Sequence, residues 1–465
     1  MITNQGFSSN RLVAWIVVGV VTLALSACRG NDPHPISSGI ELPPPQVTTI
    51  AVPVAGEPKP VDPAWRQKNI ESFDYVWETI RDKHYDPTLG GVDWAAVREE
   101  LRPRVANATD PYQVRSVLEE MVQSLGQSHF GIAGATSEEV AGAGGDGVIG
   151  FDVRIVDDVP VVVSVVEGSS AARAGVETGW VVRAIDGVPI ADWWEKAEAR
   201  VVRPPSRGLY LSAGVLARLA GQAGDERKAS FLDRKDAERE VKWVLGVPDG
   251  PSQALGHLPP QIVRIESERV APNVGYVSFN MFFDPPKIQA GMAKAMEEFR
   301  DCDGVILDLR GNPGGIGALA SGVSGWFMGE SGHNLGTMTG RDFEIHFPIF
   351  PRVEPFEGKL AVLVDESSAS TTEIFAQGLK DLGRAELFGG RTSGEALPSV
   401  FERLPNGDGF QYAIADYVST GGVRIEAQGV EPHRTVEWDR PALCEGRDLA
   451  LEAAIDWIEG DDVKP

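Results

Sequence analysis

The segment DESSASTTEIF, residues 365–375, directly follows the apolar run KLAVLV. Five of the six residues from 367 to 372 carry a hydroxyl. A hydroxyl can attack an acyl carbon if a neighbouring base takes its proton. Ser370 is the candidate nucleophile, because an amphipathic helix pattern begins there. A strand-to-helix junction of that kind lies at the edge of a parallel sheet, where sites gather. The free N–H groups of the first helical turn can stabilise an oxyanion. Taken alone, STTE (370–373) also reads as a capping box, with Ser370 capping and Glu373 answering three residues on.

Two further stretches could complete such a site. LDLRGNPGG (307–315) ends a strand in a glycine-rich loop. Such a loop could present a backbone N–H with no side chain in the way, as the other half of an oxyanion hole. The plainer reading is a tight strand-to-helix connection. No GK[ST] follows, so nucleotide binding is not expected. LGQSHFG (125–131) places His129 in a small polar turn after a helix, the best-placed candidate base. His34 falls in a proline-rich stretch and His84 in an early loop, while His257, His333, His346 and His433 lie in segments without an anchor.

The elements that must position these groups fall into three regions. From 64 to 135, NIESFDYVWETIRDKHY and PYQVRSVLEEMVQSLG repeat apolar residues at three- and four-residue steps and predict a helical N-terminal domain. From 145 to 246 come PVVVSVV, a short helix in EGSSAARAGV, a strand in WVVRAIDGVPI, and a hairpin in KASFLDRKDAEREVKWVL. The part near 200–225 gives no clear pattern and reads as an insertion. From 261 to 465, strands and helices alternate: GYVSFNMF, PKIQAGMAKAMEEFR, GVILDLR, KLAVLVDE, AELFGG. That alternation predicts a largely parallel sheet with helices on its faces. The expected class is α+β and α/β multidomain: a helical domain, a β domain and a βαβ core.

In their order along the chain, LGQSHFG, the 147–190 segment, VILDLRGNPGG and LVDESSASTTEIF resemble the carboxy-terminal processing and tricorn-core serine peptidases. The resemblance spans roughly residues 64–436 and implies a ClpP/crotonase-like catalytic core. It implies that 145–246 is PDZ-like, with VIGF (Val148, Ile149, Gly150 and Phe151) as a loop whose N–H groups take a peptide C-terminus. Such a unit can also serve only as packing scaffold. One branch of the family uses a lysine base 25 residues after the serine. Here that position is Glu395, in RTSGEALPS, so a serine–lysine dyad is not supported. Lys380 and Lys359 do not substitute for it. The tricorn-type branch uses a Ser-His pair, a serine nucleophile and a late glutamate. Carried over, it implies that Ser370 attacks and His129 takes the proton, while Ser128 and Glu426, in RIEAQGVEPH, orient the imidazole. It also implies Thr371 and one of Gly314 and Gly315 as oxyanion donors.

The N-terminus, NRLVAWIVVGVVTLALSAC, has a short apolar run and ends like a bacterial lipobox. A run this short fits a secretory signal rather than a membrane span. The resemblance implies cleavage before Cys28, lipidation of its thiol, and a bacterial envelope location facing the periplasm or the cell surface. Residues 1–28 would then be the signal peptide and 29–63 a proline-rich tether. Cys302 and Cys444 remain and could pair. No Cys/His cluster has metal-ligand spacing, and no cofactor is expected. The formal net charge of −24 over 465 residues repels nucleic acid and anionic lipid. The expected function is an envelope serine peptidase acting on protein or peptide substrates through an acyl-enzyme. The alternative is a non-catalytic binding lipoprotein on the same scaffold.

Overall fold

The computed structural model describes residues 62–134, 145–199, 201, 203–248, 250, 252–253 and 261–460. Cys28, the lipobox and residues 29–61 of the expected tether lie outside them, as do His34 and His257, whereas Pro63 already opens the first helix. Among the described residues no helix is long and apolar enough to cross a membrane.

The chain opens with three helices, α1 (Pro63–Lys83), α2 (Trp94–Asn107) and α3 (Pro111–Gln123). Each is capped by an aspartate: Asp62, Asp93 and Asp110 accept an N–H of the first turn. Their apolar stripes, including Phe73, Val76, Ile80, Leu101, Leu118 and Met121, meet in one core. The same core contains Leu397, Leu404, Phe410 and Tyr412 from far along the chain. The strand β1 (Gly131–Ala133) explains the sharing, because it pairs antiparallel with residues 409–411. The helical region is therefore built onto the later part of the chain and has no closed core of its own.

The 145–246 region is a five-stranded antiparallel sheet. Its strands are β2 (Phe151–Val156), β3 (Val159–Val165), β4 (Val181–Ile185), β6 (Glu226–Leu232) and β7 (Glu238–Val244), with the two-residue β5 (Val188–Pro189) pairing β4. The short helices α4 (Ser170–Arg173) and α5 (Ala191–Glu198) precede α6 (Arg207–Leu219), which packs beside β2. The segment near 200–225 is thus mostly helix; its apolar residues Leu209, Leu211, Val215 and Leu219 are buried.

The third region holds a six-stranded sheet built from β8 (Ile265–Ala271), β9 (Val274–Phe279), β10 (Gly304–Asp308), β13 (Lys359–Val364), β14 (Glu386–Gly389) and β18 (Arg434–Thr435). All adjacent pairs are parallel except β8 with β9. Strands β11 (Asn334–Gly340), β12 (Glu344–Pro348) and β17 (Ala415–Ser419) form a second sheet, and β15 (Ser399–Arg403) and β16 (Gly409–Ala413) complete the sheet begun by β1. The helices are α7 (Pro285–Glu298), α8 (Gly317–Ser324), α9 (Thr371–Asp381), α10 (Arg440–Cys444) and α11 (Leu449–Glu459). Strand β10 is buried at every position, which is why GVIL reads as a continuous apolar run and not an alternating one; its last residue, Asp308, is a buried carboxylate. Helix α9 is buried from Thr371 to Leu379, so it passes through the core and does not lie on the surface. Cys302 and Cys444 are both free thiols: the first is buried behind the sheet, and the second lies against Gly179 of the β domain. The pairing allowed for them is not formed.

Candidate active site

Strand β13 ends at Val364, and the chain reverses through 365–370 before α9 begins. Ser370 sits at this elbow with φ 59° and ψ −119°, a conformation that costs a non-glycine residue about 1–3 kcal/mol. Glu373 holds it there. Its carboxylate accepts N–H groups from Ser370 (2.9 Å), Gly394 (2.8 Å) and Glu395 (2.9 Å), and the Thr392 hydroxyl (2.5 Å). Burial pushes the Glu373 carboxyl up to about 7, against the pull of those hydrogen bonds. The glutamate of the capping box therefore ties the Ser370 elbow to the 392–395 loop, a role the local motif did not reveal.

The imidazole arrives from the opposite end of the sequence. Helix α3 ends at Gln123, and the turn 124–130 leads into β1. Pairing of β1 with β16 carries this turn over the end of the parallel sheet. His129 also has a positive φ, 61°. Its Nε2 lies 3.2 Å from Ser370 Oγ, across 241 positions of sequence. Its Nδ1 lies 2.8 Å from Ser128 Oγ. The Ser128 hydroxyl is 2.8 Å from Glu426 Oε2, and the Ser128 N–H donates to Glu426 Oε1 at 2.9 Å. The Ala396 N–H donates to Oε2 at 3.2 Å.

This arrangement fixes the tautomer. An ionised carboxylate only accepts, so the single hydroxyl proton of Ser128 goes to Glu426. Ser128 Oγ must then accept from Nδ1–H, which leaves the Nε2 lone pair facing Ser370. Burial pushes the Glu426 carboxyl above its ordinary range; the charge of Arg203 and the two bonds from Ser128 pull it back, and the charge of Glu395 pushes it up again. Ser128, His129, Ser370 and Glu426 are 1%, 5%, 0% and 4% exposed, so bulk water does not compete for these bonds.

The glycine loop separates its two candidates. Gly314 donates its N–H to Asn312 Oδ1 at 3.0 Å, so that donor is occupied. Its φ is +95°, and a Cβ there would lie 2.7 Å from both Ala369 O and Ser370 Cβ. Gly314 thus allows the close approach to Ser370 that a side chain would block. The N–H groups of Gly315 and Thr371 have no hydrogen-bond partner among the described residues. Thr371 Oγ1 bonds Gly315 O at 2.9 Å and holds the two segments together.

The other sequence candidates lie elsewhere. Lys380 Nζ bonds Glu431 O and Lys359 Nζ bonds Trp457 O. His433 accepts from Leu387 N, His346 meets Thr337, and His333 lies near Glu330 on the surface. His84 is buried and bonds Gln127 Oε1 at 2.9 Å, two residues before His129. In the VIGF loop, the Val148 N–H is taken by Gly246 O at 2.9 Å. Ile149, Gly150 and Phe151 remain as candidate donors beside β2, with Gly150 at φ +92° against Ser169. Glu395 is fully buried in an ion pair with Arg203, 2.5 Å. Arg203 carried no signal in the sequence, because its partner is 192 residues away.

Residues 273–436 match peptidase family S41, and residues 66–123 match the tricorn protease C1 domain. The chain thus carries a peptidase family S41 domain over residues 273–436. It is 24% identical over 398 residues to a carboxyl-terminal-processing protease of Synechocystis sp., covering 83% of this chain and 85% of the relative. It is 27% identical over 423 residues to the chloroplastic carboxyl-terminal-processing peptidase 2 of Arabidopsis thaliana, covering 86% and 75%. Among solved structures, the photosystem II D1 C-terminal processing protease superposes with a TM-score of 0.54 at 20% identity, covering 82% of this chain and 98% of that one. Mature CPAF superposes with a TM-score of 0.59 at 14% identity, covering 86% and 99%. The chain is a serine-type peptidase with protein or peptide substrates, and its fold is that of the S41 proteases.

Proposed function

We propose that this peptidase cuts peptide bonds by acyl transfer on Ser370, with His129 as the base and Ser128 and Glu426 as its orienting relay. The observation that supports it is the 3.2 Å approach of His129 Nε2 to Ser370 Oγ, with the tautomer set by a buried relay. As Ser370 Oγ attacks the scissile carbonyl, its proton passes to Nε2. The imidazolium so formed is stabilised through Ser128 by the Glu426 carboxylate. The carbonyl oxygen gains charge and is met by the N–H groups of Thr371 and Gly315. One such donor is typically worth about 2.7–4 kcal/mol in the rate. Collapse expels the amine, which takes the proton from His129. Water, deprotonated by the same imidazole, then releases the acyl group and restores Ser370.

Substrate choice is assigned to the 145–246 unit, with a free C-terminus held by the N–H groups of 149–151 and the peptide laid as a strand along β2. Lipidation of Cys28 and an envelope location complete the reading. A non-catalytic binder gives no reason for a hydroxyl, an imidazole and a carboxylate to be assembled in this order. The test is hydrolysis of an unfolded protein by wild type and Ser370→Ala. Loss of turnover with an unchanged melting temperature is expected; undiminished hydrolysis by the variant rejects the mechanism.

A further inference from the structure

The acyl-transfer reading leaves Glu395 without a part, although it occupies the position of the lysine in the other branch of the family. It is 0% exposed. Its Oε1 meets Arg203 Nη2 at 2.5 Å, and the same nitrogen donates to the Tyr210 hydroxyl at 3.0 Å. Its Oε2 and the Nε of Arg203 are buried without partners. The backbone on either side ties it to both arms of the site. The Glu395 N–H shares Glu373 Oε2 with the Ser370 N–H, and the Ala396 N–H shares Glu426 Oε2 with the Ser128 hydroxyl. Arg203 comes from the turn between α5 and α6 of the β domain. A cation and two carboxylates, Glu395 and Glu426, are therefore enclosed together.

We propose that Arg203 and Glu395 are positioning residues that act on Glu426: the guanidinium keeps that carboxylate ionised and oriented toward Ser128, and Glu395 holds the guanidinium in place. The inference rests on the tetrad reading above. Without that cation, burial and the neighbouring Glu395 charge both favour the protonated form of Glu426. A protonated Glu426 no longer requires the Ser128 proton, and the imidazole loses its fixed tautomer. Loss of the Glu395 charge acts in the opposite sense, because it removes a like charge. The charged and titratable groups that act on Glu426 or are acted on by it are His129 through Ser128, Arg203, Glu395, Tyr210, Tyr85 and Arg424. Burial raises both phenols, and Arg424 is paired with Asp416 at 2.8 Å, so the balance rests on Arg203 and Glu395.

The test is the rate of labelling by a fluorophosphonate probe as a function of pH, on the full chain, for wild type, Arg203→Met, Glu395→Gln and the double variant. The acidic limb of the profile belongs to the coupled His129–Glu426 pair. It should move up by about one pH unit in Arg203→Met and down by a similar amount in Glu395→Gln. A unit charge roughly 10 Å away at an effective dielectric near 20 has about that effect. The double variant should return close to wild type. A packing role alone lowers the rate at every pH and leaves the limb where it was; limbs that stay put or move in the same direction overturn the proposal. Should Arg203→Met not fold, Glu395→Gln and the double variant still decide by the same directions. A wild type that is never labelled at Ser370 instead rejects the peptidase mechanism, and this inference with it.

Discussion

Replacing Ser128 by alanine removes one oxygen from the middle of the relay. That oxygen makes two bonds of 2.8 Å, to His129 Nδ1 and Glu426 Oε2. The Glu426 carboxylate keeps its backbone donors, Ser128 N–H and Ala396 N–H, so it stays anchored. What is lost is the acceptor for Nδ1–H and the link to the carboxylate. With Ser128 1% and His129 5% exposed, water replaces neither well. A hydrogen bond to a charged group contributes about 1.5–3 kcal/mol, and in the proposed mechanism the imidazolium of the transition state depends on this one. A loss near 3 kcal/mol corresponds to about a hundredfold fall in kcat/KM. The assay compares wild type, Ser128→Ala and Ser128→Thr in hydrolysis of a fluorogenic peptide, with the melting temperature as the check on folding. Threonine keeps the hydroxyl and should retain most of the activity. A folded Ser128→Ala enzyme within about threefold of wild type would refute the relay.

Two further outcomes follow from the same geometry. Gly314→Ala places a methyl 2.7 Å from Ala369 O at φ +95°, so the elbow must shift. We expect a cost of about 1–2 kcal/mol in stability and at least a hundredfold loss of turnover, read by thermal melting and peptide hydrolysis. Glu119, on α3, is raised to about 7 by burial, against the Ile132 N–H that bonds it at 2.8 Å. The folded state then binds more protons than the unfolded state between about 4.5 and 7, so stability falls as pH rises through that window. The contribution is up to about 3 kcal/mol, and Glu119→Gln should flatten this part of the melting-temperature profile by that amount. An unchanged slope in the variant would reject the assignment.

The local code was sufficient for much of this molecule. LAVLV and GVIL read as strands because every side chain in them is apolar or small, and the helices 285–298 and 371–381 carry their own caps and spacing. The order of motifs pointed to Ser370, His129, Ser128 and Glu426 through its resemblance to the tricorn-type serine peptidases. Other features depend on residues that meet only after folding. The helical region has no separate core because β16 supplies its sheet partner, and hydrogen-bond pairing between residues 131 and 411 leaves no local trace. The choice between Gly314 and Gly315 turned on Asn312, whose side chain occupies one N–H and leaves the other open. Arg203 became visible only through Glu395, because a buried charge selects its partner by proximity in space and not by spacing along the chain. The sequence by itself thus determined which groups are present and which strands and turns carry them. Only the tertiary structure decided the 3.2 Å between His129 and Ser370, because that distance is set by strand pairing and core packing across the whole chain.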